Sequence, residues 1–286
     1  MPSLIDIRRR IRSVKNTQQI TKAMKMVSAA KLRRAQDRTI AARPYGTLLR
    51  KVLGNVAAAV ANDESAAENP LLARREERRI LLVVITGDKG LAGAFNTNLI
   101  KAASRFVAEH SGEQITFELI GRKGRDYFRK REVAVSGEAI GLAAKVKYED
   151  TAAIARRAME LFRNQEIDAV YLVYNEFKSV VSQKLTLSRV LPAELPEQAN
   201  PVDYIFEEPP ADMLNILLPK YVEMEFYRAL LESAASEHAA RMTAMDSATS
   251  NAAEMIDKLT LYMNRVRQAS ITKEIIEVVS GAAAAE

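Results

Sequence analysis

The 286-residue chain, 48% hydrophobic and 27% charged, is long enough for one or two domains with a sizeable core, and its composition excludes disorder of the whole chain. It has no cysteine, which excludes a disulfide framework and a thiolate metal site and fits a reducing compartment, and its two histidines, His110 and His238, stand alone with no second His in ligand spacing, so nothing points to a zinc or haem site. The net charge of +6 is unevenly spread: residues 1–43 carry 12 Lys/Arg against Asp6 and Asp37, for a net +10, whereas residues 207–286 are net −6 and residues 44–206 are close to balance at +2.

The start, MPSLIDIRRR, lacks the apolar run of a secretory leader, and uninterrupted apolar stretches such as ILLVVI are too short to span a bilayer. Neither Gly nor Pro occurs between Pro2 and Pro44, or between Pro219 and Gly281. Helices of those lengths would extend about 60 and 90 Å at ~1.5 Å per residue. Ser3 and Asp6 form a capping box at the first helix start, and Gly281 suits the C-terminal cap of the second.

The N-terminal stripe Leu4, Ile7, Ile11, Val14 has coiled-coil spacing and is expected to drift to Ile20, Ala23, Met24, Val27 and Ala30. A matching stripe runs through Leu230, Ala234, Met242, Met245, Ala252, Ile256, Leu259, Met263 and Val266. The expected arrangement is an antiparallel pair of unequal length. The longer helix then ends alone in ITKEIIEVVSGAAAAE, whose exposed Val and Ile side chains would each forgo roughly 1.5–3 kcal/mol of burial, so the end needs an outside partner.

Between the helices the pattern changes. RILLVVITG, ITFELIG, EVAVSG and DAVYLVYNEF read as strands, alternating with helices over NTNLIKAASRFVAEHSG and YEDTAAIARRAMELFRNQ, and SQKLTLSRVLP returns antiparallel to the last strand. The expected fold is α/β with long helices: an antiparallel coiled coil of the N- and C-terminal helices plus a central Rossmann-like α/β domain with a mostly parallel sheet. The expected divisions are a helix over 1–61, a linker over 62–79, the α/β domain over 80–191, a proline-rich linker over 192–212 and the C-terminal helix over 213–286.

Four candidates for chemistry follow. TGDKGLAGAFN sets Gly87, Gly90 and Gly93 after a strand and before a helix, the context of a phosphate cradle. The spacing matches neither G-x-G-x-x-G nor G-x-x-x-x-G-K-[ST], and the acid expected on the next strand would be Glu118 inside an apolar run. A tight turn with close packing accounts for the glycines, and an α/β nucleotide-binding enzyme with a coiled-coil arm stands as the alternative.

The cluster Arg8, Arg9, Arg10 and Arg12 suggests nucleic acid, but no aromatic precedes Tyr45 to stack on bases. Asp88, Glu149 and Asp150 sit where caps and turns form, with no nucleophile–base pair or ligand cluster beside them. On the longer helix, Arg267, Gln268, Thr272 and Glu274 surround an apolar stripe and are placed to hydrogen-bond to a surrounding protein.

The segments NTQQITKAMKMVSAAKLRRAQ and RQASITKEIIEVVSGAAA resemble the two signature ends of the gamma subunit of F-type ATP synthases, and TGDKGLAGAFN resembles the central-domain turn of that family. The resemblance spans the chain, with Ile271, Thr272, Glu274, Glu277, Gly281 and Ala282 in place. It implies a non-catalytic rotor shaft, without cofactor or metal, present in one copy, turning inside a ring of three alpha and three beta subunits above the epsilon subunit and a membrane ring.

By the same resemblance, Lys22, Met24, Lys25, Arg267, Gln268, Thr272 and Glu274 meet a beta subunit. Ile275, Ile276, Val278 and Val279 sit in a hydrophobic sleeve, and Tyr204 and Glu207 lie toward the membrane ring and epsilon. No cysteine-bearing insertion or transit peptide is seen, so a bacterial-type subunit, peripheral on the cytoplasmic face of the inner membrane and with no nucleic-acid partner, is expected.

Overall fold

The computed structural model describes residues 3–60, 69–195 and 208–283. Its elements in chain order are α1 (Leu4–Ala59), β1 (Arg79–Ile85), α2 (Phe95–Glu109), β2 (Gln114–Ile120), α3 (Arg122–Phe128), β3 (Ala134–Ala139), α4 (Tyr148–Arg163), β4 (Ala169–Phe177), β5 (Gln183–Leu191) and α5 (Pro210–Ala283). They fall into two compact units, residues 1–28 with 242–286 and residues 29–241.

The larger unit is built on a five-stranded sheet of order β3-β2-β1-β4-β5, in which β5 is antiparallel to β4 and the other neighbours are parallel. After Arg79 the run ILLVVI is apolar throughout because β1 is covered on both faces. Ile80, Leu82 and Val84 meet Phe95, Leu99 and Phe106, a single stripe of α2, together with Phe117 and Phe128. Leu81, Val83 and Ile85 face the opposite cluster, which holds Ile154, Ala158 and Phe162 of α4 with Leu53 and Val56 of α1 and Leu214, Leu218, Val222 and Phe226 of α5. The parts of α1 and α5 that belong to this unit are therefore core elements of it.

Both long helices run through an interior proline. α1 passes through Pro44 and spans 56 residues, and α5 starts at Pro210, passes through Pro219 and spans 74. An interior proline costs about 3 kcal/mol, partly by orphaning the carbonyl four residues back. Here those carbonyls belong to Ile40 and Asn215, both exposed residues rather than core positions. The helix also continues past Gly281 to Ala283, so Gly281 is not its cap; the alanines around it offset a penalty of about 1 kcal/mol. At the other end the capping box forms as expected: Asp6 N–H donates to Ser3 Oγ at 3.2 Å, and Ser3 N–H to Asp6 Oδ2 at 3.3 Å.

In the smaller unit the seam of α1 differs from the expected drift. Ile7, Thr21 and Ser28 are buried and Val14 is half-buried, a strict seven-residue repeat, whereas Ile20 and Val27 are 60% and 56% exposed and Ala23 also faces out. Thr21 meets Thr249 hydroxyl to hydroxyl at 2.8 Å, and Lys25 reaches Asp246 at 2.6 Å, which makes the pair antiparallel here. The seam on α5 follows the expected stripe, with Met245 and Ala252 buried and Ile256, Leu259, Met263 and Val266 half-buried.

Candidate functional site

The crevice outside the carboxyl ends of β1 and β4, where strand order reverses, is where an open α/β sheet of this kind takes a nucleotide. Here α5 fills it. Ser233 Oγ donates to the carbonyl of Ile85 at the end of β1 (3.4 Å), and Ser236 Oγ to that of Asn175 on β4 (3.0 Å). One and two turns further on, Glu237 and Arg241 form a buried ion pair at 2.5 Å, with side chains 7% and 10% exposed.

The Arg241 guanidinium also donates to the carbonyls of Gly90 (3.3 Å) and Lys89 (3.4 Å). Next to it, burial and the nearby charges of Arg241 and Lys31 push His238 down to about 4, so it is neutral at pH 7.

The glycine turn is shaped to receive this helix. A Cβ on Gly87 would lie 2.7 Å from Glu237 Oε1. Asn96 accepts from the Gly87 N–H at 2.8 Å and donates to the Lys89 carbonyl at 3.3 Å, tying the turn to the start of α2. Asp88 accepts from the N–H groups of Arg122 (3.1 Å) and Gly141 (3.0 Å), so its carboxylate is a tie between loops. Gly121 has φ 94°, and a Cβ there would sit 2.1 Å from the Thr86 carbonyl oxygen. Glycine is required at that crossing.

Glu118, the acid that a dinucleotide site would use, is 1% exposed and ion-paired to Arg157 of α4. Burial lifts its carboxyl above the usual glutamate range, with Arg157 opposing. Glu149 and Asp150 lie in the first turn of α4, where acids favour the helix. Among the described residues no group of His, Asp and Glu is placed to hold a metal ion.

The smaller unit presents a different surface. Lys22 is exposed and makes no hydrogen bond or ion pair among the described residues, Met24 is half-buried, and the Lys25 ammonium is engaged by Asp246. On α5, Arg267, Gln268, Thr272 and Glu274 are all exposed. Their contacts are local: Thr272 donates to the Gln268 carbonyl (2.9 Å) and Ser270 to Glu274 (3.2 Å). Residues 271–280 are exposed without a break, with Ile275 at 57% and Val279 at 62% and with Ile276 and Val278 also in the open. Tyr204 and Glu207 lie outside the described residues.

Two features escaped the sequence reading. Glu237 and Arg241 carry a helical i, i+4 signal, but nothing in their spacing says which loop they meet. Glu223, 2% exposed, accepts from Tyr148 Oη, Arg156 Nε (2.7 Å) and Lys220 Nζ (3.3 Å), joining α4 to α5. Burial alone would raise its carboxyl, but these three donors outweigh it and hold it below the usual range.

Fold and site together define a long-helix scaffold protein, with an α/β domain whose nucleotide crevice is closed by its own helix. A family model described as ATP synthase matches residues 3–285. The ATP synthase gamma chain of Anaeromyxobacter sp. (strain Fw109-5) is 53% identical over 99% of both chains, and that of Pelotomaculum thermopropionicum is 51% identical over the whole of both.

Among solved structures, a chain of the Tetrahymena thermophila mitochondrial ATP synthase (central stalk and c-ring) is 25% identical with TM-score 0.62, covering 80% of this chain and 99% of that one. A chain of the Euglena gracilis mitochondrial ATP synthase is 21% identical with TM-score 0.66, covering 98% and 94%, and supports the fold alone. The chain belongs to the ATP synthase gamma-chain family, as a non-catalytic central-stalk subunit. No helix among the described residues is long and apolar enough to cross a membrane.

Proposed function

We propose that this chain is the turning shaft of an F-type ATP synthase, coupling ion-driven rotation to ATP synthesis or hydrolysis in a surrounding ring of three alpha and three beta subunits. The observation that carries this reading is the end of α5, where Ile271, Ile275, Ile276, Val278 and Val279 are all exposed. Their side chains form the apolar tip that a hydrophobic sleeve would cover. Such a tip turns in an apolar sleeve without breaking directional bonds.

Below the tip, Arg267, Gln268, Thr272 and Glu274 on one helix and Lys22, Met24 and Lys25 on the other give the shaft unlike sides. Each surrounding beta subunit then meets a different face at each angle, which biases its nucleotide affinity as a coupling free energy between distant sites. The α/β unit is the foot, set against epsilon and the membrane ring. One copy serves each complex, on the cytoplasmic face of a bacterial inner membrane, with protons as the coupling ion.

The test is ATP hydrolysis by purified alpha and beta subunits with and without this chain, beside an ATP titration of the chain alone. The expected result is an active complex holding one copy, with no ATP bound by the isolated chain. Failure to assemble, with tight nucleotide binding by the chain itself, would overturn the reading.

A further inference from the structure

Glu232 is a buried carboxylate that none of the roles above uses. It lies on α5 in the larger unit with only 9% of the residue exposed, and its Oε2 is buried without a hydrogen-bond partner among the described residues. The closest ion pair it makes is with Arg228, 3.8 Å away, beyond hydrogen-bond distance. That guanidinium is drawn to Glu225 at 2.5 Å, and its own Nε is also buried without a partner. The charge on Glu232 is therefore poorly compensated for a group withdrawn from water.

The other groups facing it come from three elements. Arg228 and Glu225 lie on α5 and Arg43 on α1, Tyr174 and Glu176 lie on β4, and Lys178 follows just after β4. Lys178 is taken by Glu176 at 2.6 Å, and Arg50 of α1 by Glu225 at 2.9 Å. Glu176 adds like-charge repulsion. Burial is the largest influence and holds the Glu232 carboxyl above the usual glutamate range, while Arg228, Lys178 and Arg43 oppose it. A cavity of about 200 Å³ between α1 and α5, lined by Glu232 together with Thr39, Gly46 and Met224, adjoins the group.

We propose that Glu232 is a proton-uptake site at the junction of α1, α5 and β4, and that the junction tightens when it is filled. A proton from solvent adds to the carboxylate, and no other bond changes. The neutral acid loses the cost of a buried charge and gains an O–H donor. On the shaft reading, on which this consequence rests, the packing of α1 and α5 against β4 within the α/β unit becomes stiffer as the pH falls.

A carboxyl whose pKa is higher in the folded than in the unfolded state binds protons on folding. The destabilisation it causes is absent below the ordinary value of 4.5 and grows as the pH rises through the folded value. The test compares thermal unfolding of the full-length wild type, Glu232→Gln and Glu176→Gln from pH 4.5 to pH 8. Glu232→Gln is expected to melt level with the wild type at pH 4.5 and about 2–4 °C above it at pH 8. In the Glu176→Gln background, adding Glu232→Gln gives a smaller gap.

Carboxyl carbon-13 spectra supply a second reading, with the resonance absent from Glu232→Gln titrating above the ordinary glutamate range. A gap independent of pH, a Gln variant less stable than the wild type at pH 8, or a Glu232 resonance titrating at or below the ordinary range would overturn the proposal. These measurements use the isolated chain, so their failure is distinguishable from failure of the assembly experiment that tests the shaft reading.

Discussion

Replacing Arg241 by Met tests whether α5 closes the switch-point crevice as a structural plug. The side chains of Arg241 and Glu237 are only 10% and 7% exposed, and the guanidinium also satisfies the carbonyls of Lys89 and Gly90. Removing one partner of a buried pair leaves an uncompensated charge, at a cost of about 3–5 kcal/mol. For a chain of this size that is roughly 6–20 °C in unfolding midpoint at neutral pH.

The double variant Glu237→Leu with Arg241→Met removes the stranded carboxylate and is expected to recover most of the loss, because apolar side chains of similar volume replace such pairs at little cost. The chain has no tryptophan, and of its nine tyrosines only Tyr262 lies in residues 242–286, so near-ultraviolet circular dichroism reports chiefly on the larger unit. A single variant within about 1 kcal/mol of the wild type, or a double variant no more stable than the single one, would refute the plug.

Gly87→Ala sets a Cβ 2.7 Å from Glu237 Oε1 and is expected to cost about 1–3 kcal/mol in urea unfolding, and clearly less in a Glu237→Ala background. Ile275→Asp with Val279→Asp alters only exposed side chains, so the melting of the isolated chain should stay within about 0.5 kcal/mol while assembly with alpha and beta subunits, followed by size-exclusion chromatography, is lost. Glu223→Gln is expected to flatten the acid limb of stability. The native carboxylate titrates below its ordinary value of 4.5, so its contribution is present above that pH and is lost as the pH falls further, a window that melts at pH 3 to 5 resolve. Arg267→Ala with Gln268→Ala should leave unfolding unchanged and reduce ATP-driven proton pumping by the assembled complex.

Much of the α/β unit was legible because each strand declares its own environment. The unbroken apolar run of β1 could only be a strand covered on both faces, and the short return from β4 to β5 could only be antiparallel. Why the helices tolerate Pro44 and Pro219 was less legible: Ile40 and Asn215, four residues before each, are exposed, a fact of tertiary placement that local propensity does not carry.

The glycine turn was legible as a turn, whereas its partner was not. The helix residues that close it lie roughly 150 positions away on α5, and the apolar pattern that flags core positions is silent about a buried Glu–Arg pair.

The seam of α1 shows most sharply where apolar pattern and burial part company. Thr21 and Ser28 occupy the buried positions, where small side chains let the helices approach and a Thr21–Thr249 hydroxyl pair satisfies its own polarity. Ile20, Met26 and Val27 are displaced outward, 60%, 68% and 56% exposed. A free-standing helix pair would be more stable with the large apolar residues inside, each one buried contributing roughly 1.5–3 kcal/mol. Apolar residues kept outside on α1, and again along the end of α5, are what a shaft requires if its stabilising contacts are with the ring around it. On that reading the residues that misdirect the internal pattern are the surface on which the subunit turns.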